Sequence, residues 1–576
     1  MSEYKLYGQV AQYILQNKDS HKEEYRNIIR RFLNRATYGY TEELVDKVEK
    51  VGLQEWLNTQ RDEEKTVISE RAHIFTDLYC DHPKEKRKMK ICKTIDKKSF
   101  EGLLWQTALD APDQLRQRVA FALSQIFVVS GPGISRGVTV RYRFLAAYHD
   151  MLVEHSLGSF RDLLKHVTLH PTMGQMLGLN SSSKANEEKG TFPDENYARE
   201  VMQLFTIGLV KLKMDGSVLT KGGVAVETYT QKDVEEMARA LTGWRGGSYD
   251  ESIWNHKPLK AKASLHDTGS KVILGKEIPG GNANQDLNHV LDILCEHPNT
   301  APFISKALIK MLVQSNPRTK FVEDIANVFV DTKGDLFAVV SAILLHDDAL
   351  LDIGPRYRRS AENDRFGKVK EPLMCVTNAC RSLGMTYAKE TERYKGLNMA
   401  GIGQSFYGSP TVFNFFEPDF APKGEVTNKK LIAPEAELLG VISVKRYENL
   451  CWKLVTTYEK NYRNNNSPGW DIKPFKKALD VDEENNWESG PFLDLIEKRF
   501  FMGTMSFSLR NRLTRHIERA QKSQDEVTRA ALIKEVLYLS IISPEFQTFE
   551  HEVVNWNIWK KESKELIELM EAGGDV

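Results

Sequence analysis

Cysteine is scarce in this chain: six residues among 576, at Cys80, Cys92, Cys295, Cys375, Cys380 and Cys451, with no C-x-x-C spacing. That excludes a disulfide-built scaffold and leaves the thiols to be read as buried side chains of a reducing compartment. Long apolar runs are missing too. No stretch approaches the roughly 18 uncharged apolar residues of a membrane span, so none is expected. Net charge is absent, with Lys+Arg and Asp+Glu at 79 each. A neutral chain has no global pull toward nucleic acid or an anionic membrane, and neither is expected as a partner. The opening residues, MSEYKLYGQVAQYILQNKDS, lack the apolar core of a secretory signal, which points to the cytoplasm. No Walker loop appears, and no GxGxxG opens a helix after a strand, so the cofactor, if any, stays unknown. No closed set of four ligands occurs, and no metal is expected.

What is present is ordinary globular material, 41% hydrophobic, 10% aromatic and 27% charged, enough for a large core. Disorder, collagen and coiled coil are thereby excluded. Helical periodicity dominates. In Leu115 to Val129, residues Leu115, Val119, Ala122, Leu123, Ile126 and Phe127 share one face while Arg116, Gln117 and Ser124 fall elsewhere. The same spacing recurs in Tyr25 to Arg35, Glu42 to Gly52, Val140 to Glu154, Gln231 to Thr242, Leu287 to Glu296, Pro302 to Val313, Leu336 to Leu345 and Glu371 to Leu383. One segment alternates, Val210 to Tyr229, and reads as a β-hairpin inserted between helices. The expected fold class is therefore mainly α: a large multi-helix body with a small inserted β-hairpin and a C-terminal helical lobe.

Boundaries follow from polar stretches. The expected order is an N-terminal helical extension over 1–29, the main helical body over 30–458, a polar linker over 459–471, a helical lobe over 472–549 and a helical tail over 550–576. Ser181 to Gly190 (SSSKANEEKG) reads as mobile. The basic run His82 to Lys98 lacks interleaved aromatics and reads as a solvated helix face rather than a nucleic-acid site.

The densest polar segment is Phe192 to Leu209, FPDENYAREVMQLFTIGL. Asp194 is placed to cap a helix, and Tyr197, Val201, Leu204, Phe205 and Gly208 gather on its core side. Asn196, Glu200 and Gln203 then line one margin, with Glu195 and Arg199 paired at i, i+4 on the other flank. A carboxylate and two amides beside an apolar face make either a buried hydrogen-bond network or the wall of a polar site. His266-Asp267, with Lys271 nearby, forms a second candidate wall in a loop-like stretch: an oriented base with an anion-neutralising cation, or a histidine that caps a backbone carbonyl.

A third cluster, Asn414 to Glu417 with Asp419, joins Glu435 and Glu437. Aromatics interrupted by Asn and Glu suit a sugar- or ligand-lined groove, although aromatic burial favours a core role for Phe413, Phe415 and Phe416. His166 and His170 stand at i, i+4 without the glutamate of a zincin. His346-Asp347-Asp348 reads as a charged helix end. Gly133 to Gly137 matches G-x-S-x-G by letters, but it follows a helix instead of a strand and reads as an interhelical loop.

Several long blocks carry a resemblance. PDENYAREVMQLFTIGL, YTQKDVEEMARALTGW at Tyr229 to Trp244, LHDTGSKVILG at Leu265 to Gly275, FLNRATYGYT at Phe32 to Thr41 and GQSFYGSPTVFNFFEPDFAPKGE at Gly403 to Glu425 resemble a bacterial family of unknown function, DUF1800. The blocks DQLRQRVAFALSQIFVVS, FRDLLKHVTLHPTMG, IAPEAE and SPEFQ extend it across roughly Arg30 to Phe549. The resemblance implies a helical, mostly exported bacterial protein and a partner similar to sulfatases and alkaline phosphatases; it implies no activity. This chain departs in lacking an evident export signal, in carrying Gly178-Leu179-Asn180 where many relatives have an acidic residue before the asparagine, and in its tail after Phe549.

The resulting expectation is a polar pocket in which the helix of Asn196, Arg199 and Glu200 meets His266, Asp267 and Lys271. Glu200, His266 and Asp267 would be the catalytic groups of an acid–base or metal-assisted hydrolase acting on a saccharide or ester, with Asn196, Arg199, Lys271, Asn414 and Glu435 binding. The alternative is a noncatalytic helical scaffold or binding partner. In one shared site, His266 or Lys271 would lie within hydrogen-bond or ion-pair reach of Glu200.

Overall fold

The computed structural model describes residues 18–549 apart from 70–96, 135–137, 247–248, 251–254, 351–366, 388–396, 398, 400, 461–467, 481–488 and 522–525. Most of His82 to Lys98, all of the tail from 550 and Ser135 to Gly137 lie outside the described residues.

The chain is mainly α. Each apolar-periodic segment forms a helix within a few residues of its expected bounds: Lys22–Ala36, Glu42–Val51, Gln114–Ser124, Val138–His155, Gln231–Ala240, Ala283–Cys295, Thr300–Leu312, Leu336–Leu345 and Pro372–Leu383. Caps set several starts. Thr230 and Asp233 form a reciprocal capping box on Gln231–Ala240, and Asn282 with Gln285 does the same for Ala283–Cys295. Helix Gln114–Ser124 is more central than its one-sided pattern implies. Arg116, Gln117 and Arg118 are as buried as Leu115 and Val119, because each polar head finds an acceptor. Arg116 donates to the carbonyl of Arg61 (2.7 Å), Gln117 to Thr66 (2.8 Å) and Arg118 to Met311 (2.8 Å).

The hairpin is present, with Thr220–Lys221 antiparallel to Val224–Ala225 and Val210 and Leu212 bridging to Glu227 and Val218. It is not the only β structure. Trp244–Gly246 pairs with Leu259–Ala261, Tyr249–Asp250 with Asn255–His256, and Lys271–Ile273 with Lys276–Ile278, as separate two-stranded ladders, and His266 and Asp267 lie in the loop between two of them, just after a 3₁₀ turn at Ala263–Leu265. Strands of two or three residues are too short to show alternation. Ser181 to Gly190 is also more fixed than its composition implies. Arg245 donates to the carbonyls of Ser181 (2.9 Å) and Ser182 (2.7 Å), and the Lys184 N–H donates to Leu265 O (2.8 Å).

One hydrophobic core runs from Tyr25 to Phe549 and includes the helices after residue 471. Tyr40 Oη donates to Lys498 O (2.7 Å) and accepts from the Met502 N–H (2.8 Å), tying the N-terminal helices to helix Ser489–Phe500 and the turn beyond it. Residues 368–370 run antiparallel to 547–549: Lys370 N–H donates to Gln547 O (2.8 Å) and Phe549 N–H to Lys368 O (2.9 Å).

Candidate functional site

Helix Thr300–Leu312 carries two kinds of residue. Ile304, Leu308, Ile309 and Leu312 face the core, while Lys306 and Lys310, one turn apart, stand on another face with Phe303, Ala307 and Met311. That second face is one wall of a cleft of about 880 Å³. The opposite wall is the loop Pro410 to Asp419. Gln203 to Leu212 closes one side, and Pro434, Glu435 and Glu437 close another.

The loop wall is held by backbone geometry. Asn414 bridges back to Thr411 with φ of 72°, a left-handed conformation that asparagine tolerates better than most residues. Its amide Nδ2 donates to Gln125 Oε1 at 3.0 Å. Gln125, the residue that ends helix Gln114–Ser124, is buried, and its own Nε2 has no hydrogen-bond partner. Gly208 forms part of the facing side. Its φ is +71°, and a Cβ there would stand 2.7 Å from the Phe303 ring, so a side chain would collide with the wall.

Lys306 Nζ donates to Gly216 O at 2.9 Å, and Lys310 Nζ donates to Pro418 O. Neither ammonium pairs with a carboxylate among the described residues. Burial lowers the affinity of both for a proton. Lys310 is pushed down to about 8 by desolvation and by the Lys306 and Lys368 charges, against the opposing pull of Glu435 and Asp419. The four carboxylates on the lining act on these cations only at a distance, and none of them forms an ion pair with either. Glu435 Oε1 is taken by Lys368 Nζ at 2.6 Å, both side chains being nearly fully buried. Glu437 accepts from the Glu417 N–H at 2.7 Å, and Glu417 and Asp419 are exposed at the rim.

Behind the wall, two buried cations satisfy the last carbonyls of helix Thr300–Leu312. Lys368 Nζ donates to Lys310 O (2.7 Å) and Arg118 Nη2 to Met311 O (2.8 Å). Glu371, pushed up by burial, lies 3.9 Å from Lys368 and accepts from Gln404 Nε2 at 2.7 Å.

The other expected site residues lie elsewhere. His266 is buried, with Nδ1 2.9 Å from Thr242 O and Nε2 3.3 Å from Asp286 Oδ2. Lys271 Nζ reaches the same Asp286 oxygen at 2.5 Å. Burial works against the Asp286 carboxylate, yet hydrogen bonds from His266 and Lys271 outweigh it and hold the group below the usual carboxylate range. Asp267 turns away from His266 and forms a two-point ion pair with Arg239, at 2.9 and 3.2 Å. No hydrogen bond or ion pair joins Glu200 to His266 or Lys271, because those two are already held by Asp286, an aspartate on helix Ala283–Cys295. Glu200 is buried one turn before Gln203 of the cleft; its Oε2 has no partner, and burial raises its proton affinity against the pull of Arg199. Asn196 is exposed, its N–H capped by Asp194 Oδ1 (2.9 Å), and Arg199 pairs with Glu195 at 3.0 Å.

A family model described as a protein of unknown function, DUF1800, matches residues 31–548. The chain belongs to the DUF1800 family. No curated protein and no solved structure matches it. No described helix of this DUF1800 protein is long and apolar enough to cross a membrane, and no three His, Cys, Asp or Glu side chains gather as a metal ion would require among the described residues. His166 and His170 serve different elements: His166 Nδ1 lies 2.8 Å from Asp162 O, whereas His170 Nδ1 accepts from the Thr172 N–H that opens the next helix. His346 stacks on Phe321 at 4.1 Å.

Of the residues singled out from the sequence, Asn414 and Glu435 line the DUF1800 cleft, and Gln203 joins them. Phe416 is core, but Phe413 is half exposed at the cleft, so the aromatic cluster divides between both readings. Sequence reasoning missed Lys306, Lys310, Gln125 and Lys368. The available signal was SKALIK, two lysines at helical i, i+4 spacing inside an otherwise apolar helix.

Proposed function

We propose that the cleft binds a small organic anion with an apolar or aromatic body. The observation that supports this reading is the pair of ammonium groups, Lys306 and Lys310, set in an aromatic-walled cleft without carboxylate partners. A cation in such surroundings gains most from an anion that enters with it, while Phe303, Phe413 and Phe415 cover the body of the ligand. The chemistry open to these groups is acid–base, through Lys310.

A hydrolase built on Glu200, His266 and Asp267 would need those groups free to exchange protons with a saccharide or ester. His266, Asp267 and Lys271 instead satisfy one another's neighbours in the interior, and we assign them the noncatalytic role of a buried scaffold. A partner similar to sulfatases and alkaline phosphatases is a separate proposal, checked by co-purification.

Calorimetric titration with three probes of one size tests the cleft: phenylacetate, benzyl alcohol and phenethylamine. Phenylacetate should bind best, and Lys306→Gln or Lys310→Gln should each weaken it by about tenfold, the value of one charge-assisted contact. Equal or tighter binding of the amine would refute the reading.

A further inference from the structure

Resting on the cleft reading, we infer that Lys310 is a covalent nucleophile: Lys306 holds the carboxylate of an oxo acid while the Lys310 amine attacks its carbonyl carbon to form an imine. Three features of the site converge on this. Lys306 and Lys310 are one helical turn apart on the same wall, so an acid whose carbonyl lies beside its carboxylate can engage both. The bond that Lys310 makes, to Pro418 O, uses an N–H and leaves the nitrogen lone pair free once the amine is neutral. Its backbone is fixed from behind by Lys368 Nζ on its carbonyl, a contact that leaves the amine itself on the cleft lining.

The groups that face Lys310 set its charge. Lys306 on its own helix and Lys368 behind it disfavour the ammonium, as does burial. Glu435 is occupied by Lys368 and Asp419 is solvated at the rim, so neither restores it fully. The amine is therefore held near 8, where a useful fraction is neutral at physiological pH, whereas an exposed lysine is almost wholly charged.

The step balances without an oxidant or reductant. The Nζ lone pair forms a C–N bond as the carbonyl π pair moves to oxygen. Proton transfer from nitrogen to oxygen gives a carbinolamine, and loss of water leaves the C=N bond. Lysine and oxo acid become imine and water, reversibly.

Borohydride trapping with phenylpyruvate, followed by peptide mass mapping of the full chain, tests this. The expected result is one reduced adduct, on Lys310, forming on the order of a hundredfold faster than on any exposed lysine at neutral pH. Its rate should climb with pH and level off near 8, while surface lysines keep rising. Lys310→Arg should abolish the adduct while still binding phenylacetate, and Lys306→Gln should reduce its extent at fixed phenylpyruvate. Adducts spread over surface lysines, or one that persists in Lys310→Arg, would overturn the inference. If phenylpyruvate displaces phenylacetate but leaves no adduct, the covalent step fails and the cleft reading stands. If neither compound binds, both fail.

Discussion

Glu200 shows how a residue of catalytic type can be buried at a cost. Its Oε2 has no partner, and the folded state favours the protonated form, so the unfolded chain releases the proton first as pH rises. Its contribution to stability is therefore full below about 4.5 and shrinks as pH climbs through the folded value. Glu200→Gln should raise the melting temperature at pH 7 by the equivalent of about 1 kcal/mol, measured by calorimetry, and should gain nothing at pH 4. Lys310 has the opposite charge and the opposite slope. Its folded value near 8 lies below the ordinary 10.5, so the unfolded chain binds the proton more tightly and stability rises with pH between those values. Lys310→Met should flatten that rise and stabilise the protein at pH 7 by up to about 3 kcal/mol; denaturant titrations at pH 7 and 10 check both signs. Lys370, fully buried and also near 8, will leave a residual slope in the variant. Asn414 separates backbone from chemistry: Asn414→Gly should keep the turn and lose the Gln125 contact, whereas Asn414→Val should lose the turn as well.

Elements bring such residues together, and here legibility from sequence divides. Helices were readable because burial on one face imprints a 3.6-residue period over ten or more positions, as in Glu42–Val51, where Val45 and Val48 are buried and the charged residues between them are not. The short strand pairs between Trp244 and Ile278 were not, because each strand spans two or three residues, and the contacts of Arg239 with Asp267 and of Lys271 with Asp286 join residues with no shared local pattern. The same arrangement explains why His266 and Asp267 looked catalytic: a His beside a carboxylate has the same letters whether it meets a substrate or a buried aspartate from a later helix. Asp286→Asn should strand the Lys271 charge and cost about 3–5 kcal/mol, while the double change Asp286→Leu with Lys271→Met should recover most of it. Unchanged stability of Asp286→Asn in urea unfolding would argue against the buried network. In acid, Asp286 and Asp267 act together: both are held below 3.8, so their contribution is present above that value and is lost below it, as pH falls through their folded values. On the facing side of the cleft, Gly208→Ala should both strain a positive φ and press on Phe303, lowering stability by about 1–3 kcal/mol and weakening phenylacetate binding.

Across the whole molecule, the core is continuous from Tyr25 to Phe549, and the cleft draws on segments more than two hundred residues apart, Gln125 and Asn414 among them. Such long-range assembly leaves no trace in local pattern, which is why the SKALIK lysines did not stand out from the helix that carries them. A chain ended at residue 471 should lose the Tyr40 contacts to Lys498 and Met502 along with their apolar cover, and should show no cooperative melting transition. The antiparallel bridge between Val369 and Thr548 has a consequence in time as well as in space. Lys368, which fixes both Glu435 and the Lys310 carbonyl, is anchored by a segment that is synthesised long after it. A growing chain can form its early helices within seconds, but the cleft wall fixed by Lys368 has to wait until residues 547–549 have been made. Nascent chains arrested before residue 549 should therefore be retained by chaperones and fail to take up phenylacetate, and release of the final segment should restore both solubility and uptake in one step.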